Sequence, residues 1–316
     1  MRFGYGIATA LLAGVCASAA QAQSIKVGIG ISGWTGFAPI TLAKEAGLFA
    51  KNGVDATVKN IPQKDRHLAI ASGDIQCAAT TVETWIVWNA AGVETTQIFQ
   101  LDRSNGADGM AVRADIKSIK DLKGKKIAAW APGTAPYFLA SWFLKKNGLS
   151  IKDVTVVNLD PQNAAKAFVS GQDIAAAATY EPYLSSVREN PSSGRIIATT
   201  LDYPMVMDTF GCSPKFLKDN PKAGAALYKS YLDALEMIKK EPQKSFGIMG
   251  AAVKQDAAKF EKSQSYLRWQ DAAANKKFFG GEIQSFLAEA ADLLLETGVI
   301  KAKPDLAKIV DASYVK

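Results

Sequence analysis

From Ile25 to Ile31 the β-branched residues Ile25, Val27, Ile29 and Ile31 alternate with Lys26, Gly28 and Gly30, a short period-two pattern that predicts a strand. A loop carrying Trp34 follows at 33–37, then an amphipathic stretch predicts a helix over 38–51 that stops at Asn52-Gly53. The pattern predicts a strand at 55–60, a helix at 64–72 and a strand at 75–80. Further on it repeats: a strand at 127–131, a loop from Pro132 to Pro136, a helix at 137–146 stopped by Asn147-Gly148, and strands at 154–159 and 173–179. Alternating strands and helices with short connections imply mainly parallel sheets.

The repeat extends to single residues. Pro62-Gln63 leads through Ala71-Ser72-Gly73-Asp74-Ile75 to Thr81, Glu83 and Trp85, and Pro161-Gln162 leads through Val169-Ser170-Gly171-Gln172-Asp173-Ile174 to Tyr180-Glu181-Pro182-Tyr183. A period this long indicates paired half-domains with a cleft between them, not a solenoid. Strands at 97–102 and 109–113 carry the chain out of the first lobe, and strands at 196–201 and 205–211 bring it back. From Pro214 onward the chain reads as helices broken at Asn220-Pro221, Glu241-Pro242 and Gly280-Gly281, wrapping the first lobe. The division expected is 1–22 as a leader, 23–112 as the first part of lobe 1, 113–204 as lobe 2, and 205–316 as the return to lobe 1. Two crossings between the lobes make a hinge.

The leader rests on one early positive charge at Arg2, an uncharged apolar run from Ile7 to Ala20, and the ending Ala20-Gln21-Ala22. Export with cleavage after Ala22 is expected; Val15 before Cys16 does not suit lipid attachment. Cys77 and Cys212 then remain, and an oxidising compartment permits them to pair. Cys77 falls in a probable buried strand where a small apolar thiol is ordinary, so two separate free cysteines are expected. The net charge of +7, or +6 without Arg2, is spread thinly over lysines of helix faces and turns, with no aromatic interleaving. No nucleic-acid groove follows from it.

Several chemistries are excluded by what is missing from the sequence. Gly28-x-Gly30-x-x-Gly33 places its first two glycines inside the strand, and the next strand ends in Asn60, not an acid, which argues against a dinucleotide site. Gly-x-Ser-x-Gly and His-Glu-x-x-His are both absent, and His67 is the single histidine, among Lys64, Asp65 and Arg66, where it reads as exposed. No cofactor and no metal are expected. What remains is polar and aromatic residues at the carboxyl ends of strands, the edge where open α/β sheets bind ligands. These are Ser32, Gly33 and Trp34; Thr80, Thr81 and Glu83; Gly133, Thr134 and Ala135; Tyr180 and Glu181; with Asp208 and Asp202 on the returning segment. Each loop begins a helix, so its free N–H groups suit an anionic moiety, although the threonines also serve as ordinary caps. Glu83 and Glu181 either complement helix dipoles or, beside Trp34, Trp85, Tyr180 and Tyr183, receive an amine or guanidinium group.

The leader, the aromatic loop after the first strand, Ala71-Ser72-Gly73-Asp74-Ile75, Asp121-Leu122-Lys123-Gly124-Lys125, Gly133-Thr134 and Glu181-Pro182-Tyr183 occur in an order that resembles the periplasmic substrate-binding proteins of ABC importers. The likeness spans residues 25 to about 300 and is narrower for the group that binds taurine, alkanesulfonates, nitrate or bicarbonate, and thiamine pyrimidine precursors. It implies an α/β, two-lobed periplasmic binding protein of type II-like form, with two βα sheets joined by a two-crossing hinge. It also implies a monomer that closes on a small-molecule solute and delivers it to the membrane permease of an ABC transporter, not an enzyme. Thr80-Thr81-Val82-Glu83 departs from the small Gly- or Ser-rich segment of sulfonate binders, which favours a zwitterion or a nitrogen-rich solute. An exported lyase or hydrolase using the paired glutamates as acid and base is the alternative. A sensory domain of the same architecture would carry a DNA-binding or membrane-spanning segment, and neither is visible.

Overall fold

The structure, a computed structural model, describes Met1 and residues 24–316. The leader, its cleavage site and Cys16 therefore lie outside the described residues. Eleven strands form two sheets: β1 Ile25–Ile31, β2 Val54–Asn60, β3 Cys77–Thr81, β4 Thr96–Ser104, β5 Asp108–Val112, β6 Lys126–Ala128, β7 Thr155–Val157, β8 Ala176–Tyr180, β9 Arg195–Thr199, β10 Met207–Cys212 and β11 Leu267–Trp269. The first sheet has the order β11-β4-β10-β3-β1-β2 and the second β7-β6-β8-β5-β9. In the first, β1 runs parallel to both β2 and β3, while β10 inserts antiparallel between β3 and β4. The second repeats this plan, with β6 parallel to β7 and β8, and β5 antiparallel between β8 and β9. The duplicated unit of the sequence is thus two similar α/β lobes.

Each lobe is built as the apolar pattern dictates. Val27, Ile29 and Ile31 are buried on β1, and the helix after it, Ala38–Glu45, buries Ile40, Leu42 and Ala43 against the same core. The Asn-Gly stops turn at Gly53 and Gly148, whose φ values of 77° and 76° are left-handed, a region that costs glycine little. β6 ends at Ala128, short of the expected residue 131, because Trp130 leaves the extended region at φ 38°.

The chain crosses between lobes at 105–107 and again at 200–206. β5 belongs to the second sheet, so the first crossing precedes the expected boundary at 112; its alternation alone could not say which sheet it joins. The C-terminal third is helical on the first lobe, as expected, with one difference. Leu267–Trp269 adds an antiparallel edge strand to β4 where the pattern suggested helix. Asp256 and Asp271 cap the helices on either side of it, accepting from the N–H groups of Lys259 and Ala274, and leave those three residues free to pair. The helix Ile283–Glu296 packs on helices of both lobes, Val82–Ala90 and Ala135–Lys146, and Lys146 reaches its Glu289 at 3.0 Å.

Cys77 and Cys212 are joined by a disulfide, correcting the expectation of two free thiols. They are direct partners on the antiparallel pair β3 and β10, with Cα atoms 3.9 Å apart. That adjacency arises only from the return of the chain after lobe 2. Among the described residues no helix is long and apolar enough to cross a membrane.

Candidate functional site

The carboxyl ends of β1 and β3 face those of β6 and β8 across the interlobe cleft. The cavity between them is lined by Ser32, Trp34, Phe37, Gln63, Arg66, Thr81, Asp108, Ala135, Tyr180, Val206 and Asp208. The lobes are closed on it, leaving about 20 Å³, room for about one water molecule. At the cleft mouth a shallower groove of about 400 Å³ runs past Gly33, Asn60, Tyr183, Lys254 and Lys262.

Two carboxyl groups, of Asp108 and Asp208, line the cavity, and two more, of Asp102 and Glu83, are buried directly behind it. Asp102 on β4 and Asp208 on β10 are cross-strand partners, so two buried carboxyl groups stand side by side and the charge of one makes ionisation of the other harder. Asp102 also accepts from Trp34 Nε1 at 3.2 Å, a contact possible because a Cβ at Gly36 would meet both groups at 2.2 Å. Asp108 opens β5, its N–H donating to Ser104 Oγ at 3.0 Å. Glu83 opens the helix after β3, held by the Thr81 hydroxyl and its own N–H. Glu83 Oε2, Asp108 Oδ2 and Asp208 Oδ2 are buried with no hydrogen-bond partner.

Burial pushes the ionisation of all four upward. Glu83 rises to about 8 and Asp108 to about 7, in each case first through desolvation. Asp102 and Asp208 are held well above the ordinary carboxylate range by burial and by neighbouring negative charge. Against the four stands one cation. Arg66 is fully buried, donates Nε to the Ile61 carbonyl at 2.8 Å and Nη1 to that of Ala79, and leaves Nη2 without a partner. Desolvation lowers its pKa to about 10, with Tyr180 and Asp208 opposing that shift. Tyr180 stands edge-on to Trp34, ring centres 5.4 Å apart, and lines the cavity together with Ser32.

Several sequence candidates meet here: Ser32, Trp34, Thr81, Ala135, Tyr180 and Asp208 line the cavity, and Thr80 and Glu83 lie directly behind it. The threonines do not act as side-chain caps. Thr134 Oγ1 donates back to the Ala131 carbonyl at 2.7 Å, and neither Thr81 nor Thr134 caps its helix. Gly33 is at the mouth, and Gly133 packs against Val87.

Other candidates lie outside the cavity. Glu181 is paired with Arg188 and accepts from the Ser185 N–H at 3.3 Å, so a hydrolase built on Glu83 and Glu181 loses one of its two carboxylates. Asp202 is exposed and caps its own turn through the N–H of Thr199. Trp85 points into the first lobe and donates to Thr209 at 2.7 Å. His67 is half-buried beside Trp88, not exposed. Gln63, Arg66, Asp102 and Asp108 were not singled out by the sequence. Among the described residues no group of three or more His, Cys, Asp or Glu side chains is arranged to hold a metal ion.

The sequence matches the NMT1/THI5-like family over residues 34–245, more than half of the chain. The chain belongs to the NMT1/THI5-like family. A Bacillus subtilis relative named for aliphatic sulfonate binding is 26% identical over 319 residues, covering 97% of this chain and 92% of that one. The alkanesulfonate-binding protein of Xanthomonas axonopodis pv. citri, solved with MOPS bound, superposes with a TM-score of 0.76 at 20% identity, covering 93% of this chain and all of that one. The periplasmic aliphatic sulphonate-binding protein of Escherichia coli gives 0.75 at 19% identity, covering 92% of each chain. These structures share this chain's two-lobed α/β fold, so the sequence's resemblance to periplasmic binding proteins extends to the fold.

Proposed function

We propose that this protein is the exported solute-binding component of an ABC importer, closing its lobes on a small organic solute that carries a cationic nitrogen and handing it to a membrane permease. The two-lobed fold with a cavity between its lobes supports capture, the solute-binding names of similar proteins support a place in transport, and the apolar leader ending in Ala20-Gln21-Ala22 supports a periplasmic destination.

One observation carries the ligand class: three carboxylate oxygens, of Asp108 and Asp208 on the cavity and of Glu83 directly behind it, are buried without partners. Unpaired charge in a dry site costs several kcal/mol or takes up a proton, and a bound cation removes that cost. The faces of Trp34, Phe37 and Tyr180 suit the apolar surround of such a group. Arg66 Nη2, a buried donor without a partner on the cavity wall, can receive an anionic end if the solute is a zwitterion.

The test is calorimetric titration of protein stripped of bound solute by unfolding and refolding, against guanidinium, small primary and quaternary amines, taurine, methanesulfonate and nitrate. Amines or guanidinium should bind, and Asp208→Asn should weaken them by about 30- to 3,000-fold, the equivalent of about 2–5 kcal/mol for a desolvated charge partner. Tight binding of methanesulfonate or nitrate with no response to Asp208→Asn would overturn the reading. N-terminal sequencing of exported protein should begin at Gln23; material beginning at Met1 would remove the leader.

A further inference from the structure

Gln63 lies buried between the two lobes, in the turn that precedes the helix Arg66–Ala71. Its Nε2 faces the hydroxyls of Thr80, Thr81 and Thr84 in lobe 1 at 2.9, 3.3 and 2.8 Å. Its Oε1 accepts the backbone N–H of Ala135, in lobe 2, at 3.1 Å. That N–H can only donate, which fixes which way the carboxamide points. Ala135 is the first residue of the twelve-residue helix Ala135–Lys146, whose unsatisfied N–H groups and dipole attract negative oxygen. The facing helix of lobe 1, Val82–Ala90, receives the carboxylate of Glu83, folded back onto its own N–H and the Thr81 hydroxyl. At these two helix starts the oxygen is therefore supplied by the chain itself.

A small oxyanion seated at these two helix starts would need the Ala135 N–H and the threonine hydroxyls that Gln63 holds, and it would have to sit near Glu83, Asp108 and Asp208. An amine makes no demand on those donors. We infer that Gln63 is a specificity-determining residue: its carboxamide fills the anion position between the lobes and excludes small oxyanions such as sulfonates and nitrate, reserving the cleft for cationic solutes. This rests on the reading of the same cleft given above.

The experiment titrates methanesulfonate and nitrate into the unmutated full-length mature protein, Gln63→Ala, and Gln63→Ala combined with Glu83→Gln. Circular dichroism and melting confirm that each variant folds. The unmutated protein should show no measurable binding of either anion. Gln63→Ala, which frees the Ala135 N–H, should bind methanesulfonate at least tenfold more tightly, and the double variant more tightly still. Gln63→Asn withdraws the carboxamide by one methylene and is the milder variant if Gln63→Ala does not fold; it should show a gain of the same sign. Folded variants that bind methanesulfonate no better than the unmutated protein would overturn the inference, and if amine binding still depends on Asp208 the proposed function survives that result. Tight anion binding by the unmutated protein would overturn both.

Discussion

Glu83 gives the sharpest check on the electrostatics of the cleft, because the cost of ionising it can be worked from the structure. Its side chain is buried, and desolvation lifts its pKa from 4.5 to about 8, with the nearby Asp108 adding to the rise and the Thr81 hydroxyl and the Glu83 N–H working against it. In the unfolded chain the same group titrates near 4.5. The folded state therefore binds the proton more tightly, and the stability that this contributes is complete below pH 4.5 and is lost as the pH rises through 8. A rise of about 3.5 pH units at 1.36 kcal/mol each amounts to about 5 kcal/mol. That is an upper bound, because parting of the lobes rehydrates the carboxylate, so about 2–5 kcal/mol is expected. Asp108, raised from 3.8 to about 7, acts in the same direction over a lower pH range. Protein freed of solute should thus become less stable between pH 5 and pH 9. Glu83→Gln, neutral and of the same shape, should be stabilised at pH 9 by that amount relative to the unmutated protein, with little difference at pH 5. Urea unfolding at the two pH values measures both. Stability that is flat or rising with pH in the unmutated protein, or a variant with the same slope, would refute the reasoning.

Other consequences can be checked as directly. Arg188→Ala strands the buried carboxylate of Glu181 and should cost about 3–5 kcal/mol in unfolding free energy, whereas the same change at an exposed pair such as Lys215 with Asp219 should cost under about 1 kcal/mol. Reduction of the disulfide, which closes a sequence separation of 135 residues, should lower stability by about 2–5 kcal/mol; an unchanged denaturation midpoint under reductant would count against it. Gly36→Ala drives a methyl group into Asp102 and Trp34 and should destabilise by about 1–3 kcal/mol, read from the denaturation midpoint.

The cleft edges were legible because period-two apolar runs mark strand ends, and polar residues just past those ends have nowhere to go but the facing lobe. Ser32, Trp34, Thr81, Ala135 and Tyr180 follow from that argument. Arg66 did not, since its neighbours Lys64, Asp65 and His67 make a solvated turn the natural reading; it is buried because its guanidinium reaches the carbonyls of Ile61 and Ala79. Asp102 and Asp108 look like ordinary strand residues until β10 inserts between β3 and β4 and the chain crosses over at 105–107. The symmetry that paired Glu83 with Glu181 is real in the backbone, but Arg188, seven residues further along, claims the second. The cysteine pairing depends on the same long-range register of β3 with β10.

That disulfide also changes what a backbone cut can do. The segment from Cys77 to Cys212 contains both crossings and every strand of the second sheet. Lobe 2 is thus an excursion whose two stems are stapled together inside lobe 1. A protease that nicks any loop within the excursion leaves two fragments still covalently joined, running as one species until a reductant is added. If the protein works as proposed, parting its lobes and exposing their loops, the staple lets the outer lobe be clipped once without being shed.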